Sequence, residues 1–266
     1  MIDQSVVSAR IPIPASAACL VVIGRTTVAG SGRDHPTLTC FFITFTLTGG
    51  TMGEVFLDND QGILWISSIF VLYGDAANQQ LSRVMAEEVA GSWNAPRAMV
   101  RLKGFEYRVQ FKIRGEYAPD ISPDDIHGNL DPAMNFFRVE DFSRLHISFV
   151  DEIGCNTGYF LHDNLTNGST TAAHEYGHTL GLLHPAYLDI RGQGRPGIMY
   201  PRGTWVDAAF QWDPKVPAGT KGGTLKPHAR VVLSSDIASL RLEKLRFNRA
   251  GKAMIGDFTN LYHVKH

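Results

Sequence analysis

His174-Glu175-Tyr176-Gly177-His178-Thr179-Leu180-Gly181-Leu182-Leu183-His184 is the stretch from which the rest of the chain can be read. On a helix, His174 and His178 project from the same face about one turn apart. Two imidazole nitrogens then reach one zinc ion at roughly 2.0–2.1 Å each. Glu175 sits one position on, close to the metal without competing for the same ligand direction, where it can hold a water. A third ligand at His184 reaches the same ion only if the chain leaves the helix sharply. Gly181 takes the left-handed conformation this requires without a Cβ clash. The stretch specifies three neutral nitrogens, one carboxylate base and an open coordination position, which is the arrangement of a hydrolytic zinc site. Two surface histidines on an ordinary helix are the bland alternative, and five fixed positions argue against it.

The remainder of the chain sets limits on what carries this site. With 266 residues, 44% hydrophobic and 19% charged, the composition is that of a globular protein with enough chain for a full core. A formal net charge of −1 gives no bulk electrostatic case for binding nucleic acid or an anionic membrane. No apolar run approaches the length of a transmembrane helix. The N-terminal apolar patch begins Ile11-Pro12-Ile13-Pro14, which breaks the helix a secretory signal needs. Ala18–Ile23 therefore reads as a strand. Cys19, Cys40 and Cys155 make an odd number without CxxC spacing, so neither a disulfide framework nor a cysteine metal site is indicated.

From Ala18 to about Ile66 the pattern is all-β. Cys40–Thr48 is rich in β-branched and aromatic residues, Gly49-Gly50 is a hairpin signal and Asp58–Gly62 is a turn cluster. Ile63–Tyr73 reads as a strong strand. These features suggest a β-rich N-terminal region over residues 1–62, either a separate module or an extension of the sheet in a second domain over residues 63–266. Asp75–Trp93 has helical spacing, with Asp75 as N-cap and Leu81, Val84, Met85, Glu88 and Val89 in a stripe. Tyr107–Ile113 alternates as a strand closed by Gly115, and Ala118–Pro132 reads as a long loop. Leu145–Val150 and Tyr159–Leu161 read as short strands. The histidine helix is expected from about Ser169 to Gly181, and a last helix from Ser234 to about Asn248.

A second marker follows the third histidine. In Pro196-Gly-Ile-Met199-Tyr-Pro201, Met199 stands where the metzincin clan of zinc endopeptidases carries its Met-turn methionine. With the eleven-residue stretch and the order of elements before it, the chain resembles that clan, closely at the motif and loosely from Ile63 to Asn248. The Tyr and Pro directly after the methionine look most like the matrixin version. Pro185 after the third histidine leaves the subfamily unassigned. The resemblance implies an α+β fold: a twisted mixed β-sheet with an active-site helix and a C-terminal helix, preceded by the β-rich N-terminal region. It implies one catalytic zinc held by His174, His178 and His184, with Glu175 as general base and Met199 as the structural floor. Tyr200, Pro201, Arg202 and Gly203 would wall the pocket for the substrate side chain just after the cleaved bond. Pro201 occupies the position at which some subfamilies carry a ligating tyrosine, so no fifth ligand is expected. Substrate would lie along an edge strand, expected within Asn156–Asp163.

The expected activity is hydrolysis of peptide bonds in polypeptides by a Glu-assisted zinc-bound water, with a protein inhibitor as a further partner. A binding or adhesion protein on the same scaffold, and a zinc hydrolase of a non-peptide substrate, are the alternatives. Secretion, or delivery by a leaderless route as for a toxin or effector, is the expected location, with a cytoplasmic role as alternative. Two lesser metal readings remain: calcium at Asp120, Asp124, Asp125 and Asp131, and a second zinc at His127 with His146 or His162. Gly203–Lys226, with Trp205 and Trp212, matches no pattern.

Overall fold

The chain enters the sheet through β1 (Glu54–Asp58), turns at Asp58–Gly62 and returns antiparallel as β2 (Ile63–Tyr73), the strand on which the sheet is built. The structure is a computed structural model and describes residues 53–165 and 168–266. The expected strands at Ala18–Ile23 and Cys40–Thr48, the Gly49-Gly50 hairpin, and Cys19 and Cys40 lie outside the described residues. Glu54–Asp58 belongs to the same sheet as β2.

β2 is covered on both faces, which is why it reads as a nearly unbroken apolar run. Leu64, Ile66, Phe70 and Leu72 join the main core, whereas Ile69, Val71 and Tyr73 join a second cluster with Ile126, Ala133 and Phe136. α1 (Gln79–Asn94) packs into the main core through Leu81, Met85, Val89 and Trp93. It starts later than expected: Asn78, not Asp75, is the N-cap, its side chain accepting a 2.8 Å bond from Leu81 N–H. Glu88 is exposed and Val84 only partly buried, so the apolar stripe is narrower than the sequence suggested.

β3 (Met99–Leu102) forms a hairpin with β4 (Phe105–Tyr117), which lies parallel to β2 along most of its length. Gly115 does not close this strand. It lies within it, where a Cβ would collide with the Ser82 carbonyl, so glycine lets the first turn of α1 press onto the sheet. The expected loop contains a short helix, α2 (Pro123–His127), started by a reciprocal Ser122–Asp125 capping box. β5 (Met134–Glu140) then runs parallel to β2.

β6 (Phe149–Val150) is two residues long, because Leu145 and Ile147 of the expected strand are exposed. It pairs antiparallel with β7 (Thr157–Leu161), and β7 pairs parallel with β5. After α3 (Thr171–Thr179) and a long irregular segment come α4 (Ser234–Ser239) and β8 (Lys252–Met254), which pairs with β1. Among the described residues the result is an eight-stranded curled mixed sheet with strand order β3-β4-β2-β5-β7-β6 and β1–β8 branching from β2.

The fold is mixed α+β with four α-helices among the described residues. The last helix is much shorter than the expected Ser234–Asn248. Arg241 adopts a left-handed conformation (φ 53°), and Leu242–Lys244 continues as a 3-10 turn. Ile237, Leu240 and Leu242 still reach the core, so the leucine spacing reports burial rather than a continuous helix. Among the described residues no helix is long and apolar enough to cross a membrane.

Candidate metal centre

α3 is buried along its whole length and is fixed by two aromatic residues. Tyr176 reaches the sheet, its hydroxyl 2.8 Å from Ser68 Oγ, and its ring meets Phe70 and Trp93 edge-on at 5.3 and 5.8 Å. Trp93 of α1, fully buried, donates its indole N–H to Ala173 O at 3.1 Å. Truncating an aromatic this well packed costs about 3–5 kcal/mol. Rigid attachment of this kind holds site residues on a helix in one geometry. Helical structure ends at Thr179, and Gly181 has φ +95°, the left-handed turn expected there. Leu182 N–H then bonds back to Gly177 O at 2.9 Å, and the chain returns His184 to the helix face.

The three imidazoles converge. His184 Nε2 lies 3.0 Å from His174 Nε2 and 3.1 Å from His178 Nε2, and ligand atoms of all three lie within 4.8 Å of one another. The opposite ring nitrogens of the two helical histidines face carbonyls. His174 Nδ1 is 2.7 Å from Ile198 O, and His178 Nδ1 is 2.7 Å from Leu182 O. Those carbonyls accept only from an Nδ1–H, so each Nε2 carries a lone pair aimed at the common centre. Converging lone pairs repel unless a cation stands between them. Nitrogens on a tetrahedral zinc at roughly 2.0–2.1 Å are about 3.3 Å apart, and the two spacings from His184 Nε2 lie within a few tenths of an ångström of that.

The electrostatics suit ligation. Burial, with the nearby Arg230 charge adding to it, holds His174 well below its usual pKa and lowers His178 and His184 as well. The imidazoles are therefore neutral at pH 7, the form that binds metal. Glu175 is also buried. Its carboxyl is pushed up to about 7 by that burial, against the opposing pull of a Val150 backbone hydrogen bond and of Arg230. A carboxylate in this range can exchange a proton near neutrality.

Met199 is buried against α3 at Gly177, where a Cβ would collide with Met199 Sδ and crowd the Trp93 ring. The middle glycine of the histidine stretch, unassigned in the sequence reading, is thus what lets the methionine turn seat against the helix. Gly177→Ala should destabilise the fold by about 1–3 kcal/mol through overpacking, although alanine is favoured in a helix by about 1 kcal/mol. Urea unfolding checks this, and an unchanged or raised midpoint would remove the packing argument. Asp236 of α4 accepts from Leu233 N–H at 2.7 Å and Ile198 N–H at 3.3 Å. It ties α4 to the same turn whose Ile198 carbonyl orients His174.

Tyr200, Pro201, Arg202 and Gly203 follow directly, Arg202 and Gly203 exposed and Tyr200 and Pro201 half-buried. Tyr200 also packs against a small separate cluster of Ile190, Val206 and Leu225. This cluster organises the unassigned Gly203–Lys226 segment, with bridges from Asp189 to Trp205 and from Gln211 to Leu225. Arg230 was not singled out from sequence. It is 5% exposed and donates from Nε to Thr170 Oγ1 at 3.0 Å and from Nη1 to Tyr200 O at 3.2 Å. It lies 46 residues after His184 in the sequence, outside any motif, so no local pattern marks it.

The other metal readings do not assemble. Among the described residues His174, His178 and His184 form the one grouping of three such ligands. Asp125 is used in the α2 capping box and Asp131 accepts from Ala133 N–H, while His162 lies 3.7 Å from Asp141. Neither the Asp120, Asp124, Asp125 and Asp131 set nor His127 with His146 or His162 makes a site. Cys155 is a buried free thiol. The strand expected at the sheet edge is also corrected: β7 lies between β5 and β6, so the edge on that side is Phe149–Val150. No protein-family model matches the chain, and no curated protein is detectably similar to it in sequence.

Proposed function

We propose that the protein is a zinc-dependent endopeptidase of metzincin type, hydrolysing peptide bonds within polypeptides. The observation that supports it most strongly is the convergence of His174, His178 and His184 Nε2 atoms, two of them oriented by backbone carbonyls. Bound zinc supplies Lewis acidity towards a carbonyl oxygen and makes water more acidic.

The chain supplies the rest. Glu175, with its carboxyl raised to about 7, accepts a proton from the attacking water and returns it to the leaving amine. An extended peptide adds to the sheet as a further strand beside β6, Phe149–Val150, the outer strand on that side among the described residues. Val150 also bonds the Glu175 carboxylate, so the strand that receives the substrate is tied to the base. Burial of α3 under Trp93 and Tyr176 keeps base and ligands in register.

The test is digestion of casein by the zinc-loaded protein, read by mass spectrometry as new internal termini. Cleavage that stops with 1,10-phenanthroline and returns with zinc is expected. Intact casein, with zinc shown to be bound, would remove the peptidase reading.

A further inference from the structure

Arg230 is a buried cation with no carboxylate paired to it among the described residues. Its Nε and Nη1 are held by Thr170 Oγ1 and Tyr200 O, and Thr170 Oγ1 is itself anchored to Pro227 O at 2.7 Å. The guanidinium is thereby clamped between the start of the histidine helix and the residue after Met199. Among the described residues no Asp or Glu oxygen lies within 4.0 Å of it, and Nη2 makes no hydrogen bond to them. Buried charges in proteins are normally paired, because an unpaired one forfeits its solvation. A guanidinium also presents parallel N–H donors that match a carboxylate.

The neighbourhood adds positive charge rather than cancelling it. Arg202, exposed on the adjoining segment, acts on Arg230 as a second cation, and Glu175 is the one acid that offsets it. Arg230 remains charged, burial lowering its pKa only to about 10. Its bonds to Thr170, at the start of α3, and to the Tyr200 carbonyl, directly after Met199, place it beside the histidine helix and the methionine turn.

We infer that Arg230, assisted by Arg202, is a specificity-determining residue that receives an acidic side chain, aspartate or glutamate, at the substrate position just after the cleaved bond. This rests on the peptidase reading and on Tyr200–Gly203 walling that pocket. The substrate carboxylate supplies the counter-charge that the fold withholds, and a neutral side chain there leaves the guanidinium unpaired.

Cleavage-site profiling of the zinc-loaded 266-residue chain on a library of proteome-derived peptides locates the cut bonds. Paired synthetic peptides differing only in Asp or Asn, and Glu or Gln, after that bond then give ratios of kcat/KM. The acidic member is expected to be favoured about 10- to 100-fold, the range of a charge-assisted hydrogen bond. In Arg230→Gln the ratio should fall to near one, and in Arg230→Lys it should stay above the Gln value. Because both peptides are read on one preparation, loss of folded or metal-loaded protein cancels. If Arg230→Gln does not fold, Arg202→Gln, altered at an exposed position, should lower the ratio by a smaller factor. A wild-type ratio near one, or one unmoved by Arg230→Gln, overturns the inference while leaving a peptidase. No cleavage of any peptide by protein shown to hold zinc overturns the peptidase reading and this inference with it.

Discussion

Glu175→Gln is expected to bind one zinc ion as the parent does and to lose turnover by about 10²- to 10⁴-fold, the range of a positioned acid–base group. The replacement keeps shape and removes only the proton-accepting oxygen charge. Glu175 is one residue from His174 on a helix whose every residue is buried, so a larger change would disturb the ligands and confuse the result. Gln also relieves the cost of burying an ionisable carboxyl, whose pKa stands near 7. Below the usual carboxylate range that group is protonated in both states and costs nothing extra. Between about 4.5 and 7 its burial increasingly opposes folding of the metal-free protein, since the unfolded chain ionises first. The variant should therefore be no less stable than the parent at neutral pH. Casein turnover, zinc content and a urea curve measure the three quantities. Parent-rate cleavage by metal-loaded Glu175→Gln would show that another group is the base.

The second large effect is at the ligands. His178→Ala removes one of three converging nitrogens and the Nδ1 bond to Leu182 O that ties the returning chain to the helix. Loss of an outer partner of a metal ligand typically costs 10- to 100-fold in affinity, and loss of the ligand itself should exceed about 100-fold. Zinc at 100 times its dissociation constant stabilises a folded site by about 2.7 kcal/mol. The parent should accordingly melt higher with zinc than without it. In His178→Ala that shift should vanish at the same zinc concentration. Competition against a chromogenic chelator gives the affinities. A variant that still binds zinc at parental strength would mean that the metal sits elsewhere.

The three-histidine cluster is the most legible part of the chain because metal-ligand chemistry would fix its spacing. Two ligands on one helix face require the four-residue interval of His174 and His178, and the return of His184 requires the positive φ found at Gly181. Gly177 was just as determined but carries no chemistry, and only the collision of a Cβ with Met199 reveals why glycine stands there. Arg230 and Asp236 reach the site from distant sequence, and no local period announces them.

Among the elements, β5 was passed over. Met134-Asn-Phe-Phe-Arg-Val-Glu140 buries Asn135, Arg138 and Glu140 together with its apolar residues, so neither alternation nor a continuous apolar run is present. Arg138 and Glu140 satisfy one another through a 2.8 Å bond, a tertiary arrangement that the local pattern does not encode. The final helix was overextended for the opposite reason. Its leucines keep helical spacing, but the left-handed Arg241 breaks the backbone while Leu242 still reaches the core.

The central claim is that one metal ion is held by three imidazoles from a single stretch of chain. X-ray absorption at the zinc edge, on protein loaded with one equivalent, tests it most directly. Three nitrogen neighbours at roughly 2.0–2.1 Å with imidazole outer-shell scattering, and one further light ligand, are expected. Sulfur scattering, fewer than three imidazoles, or zinc that washes out on dilution would contradict it.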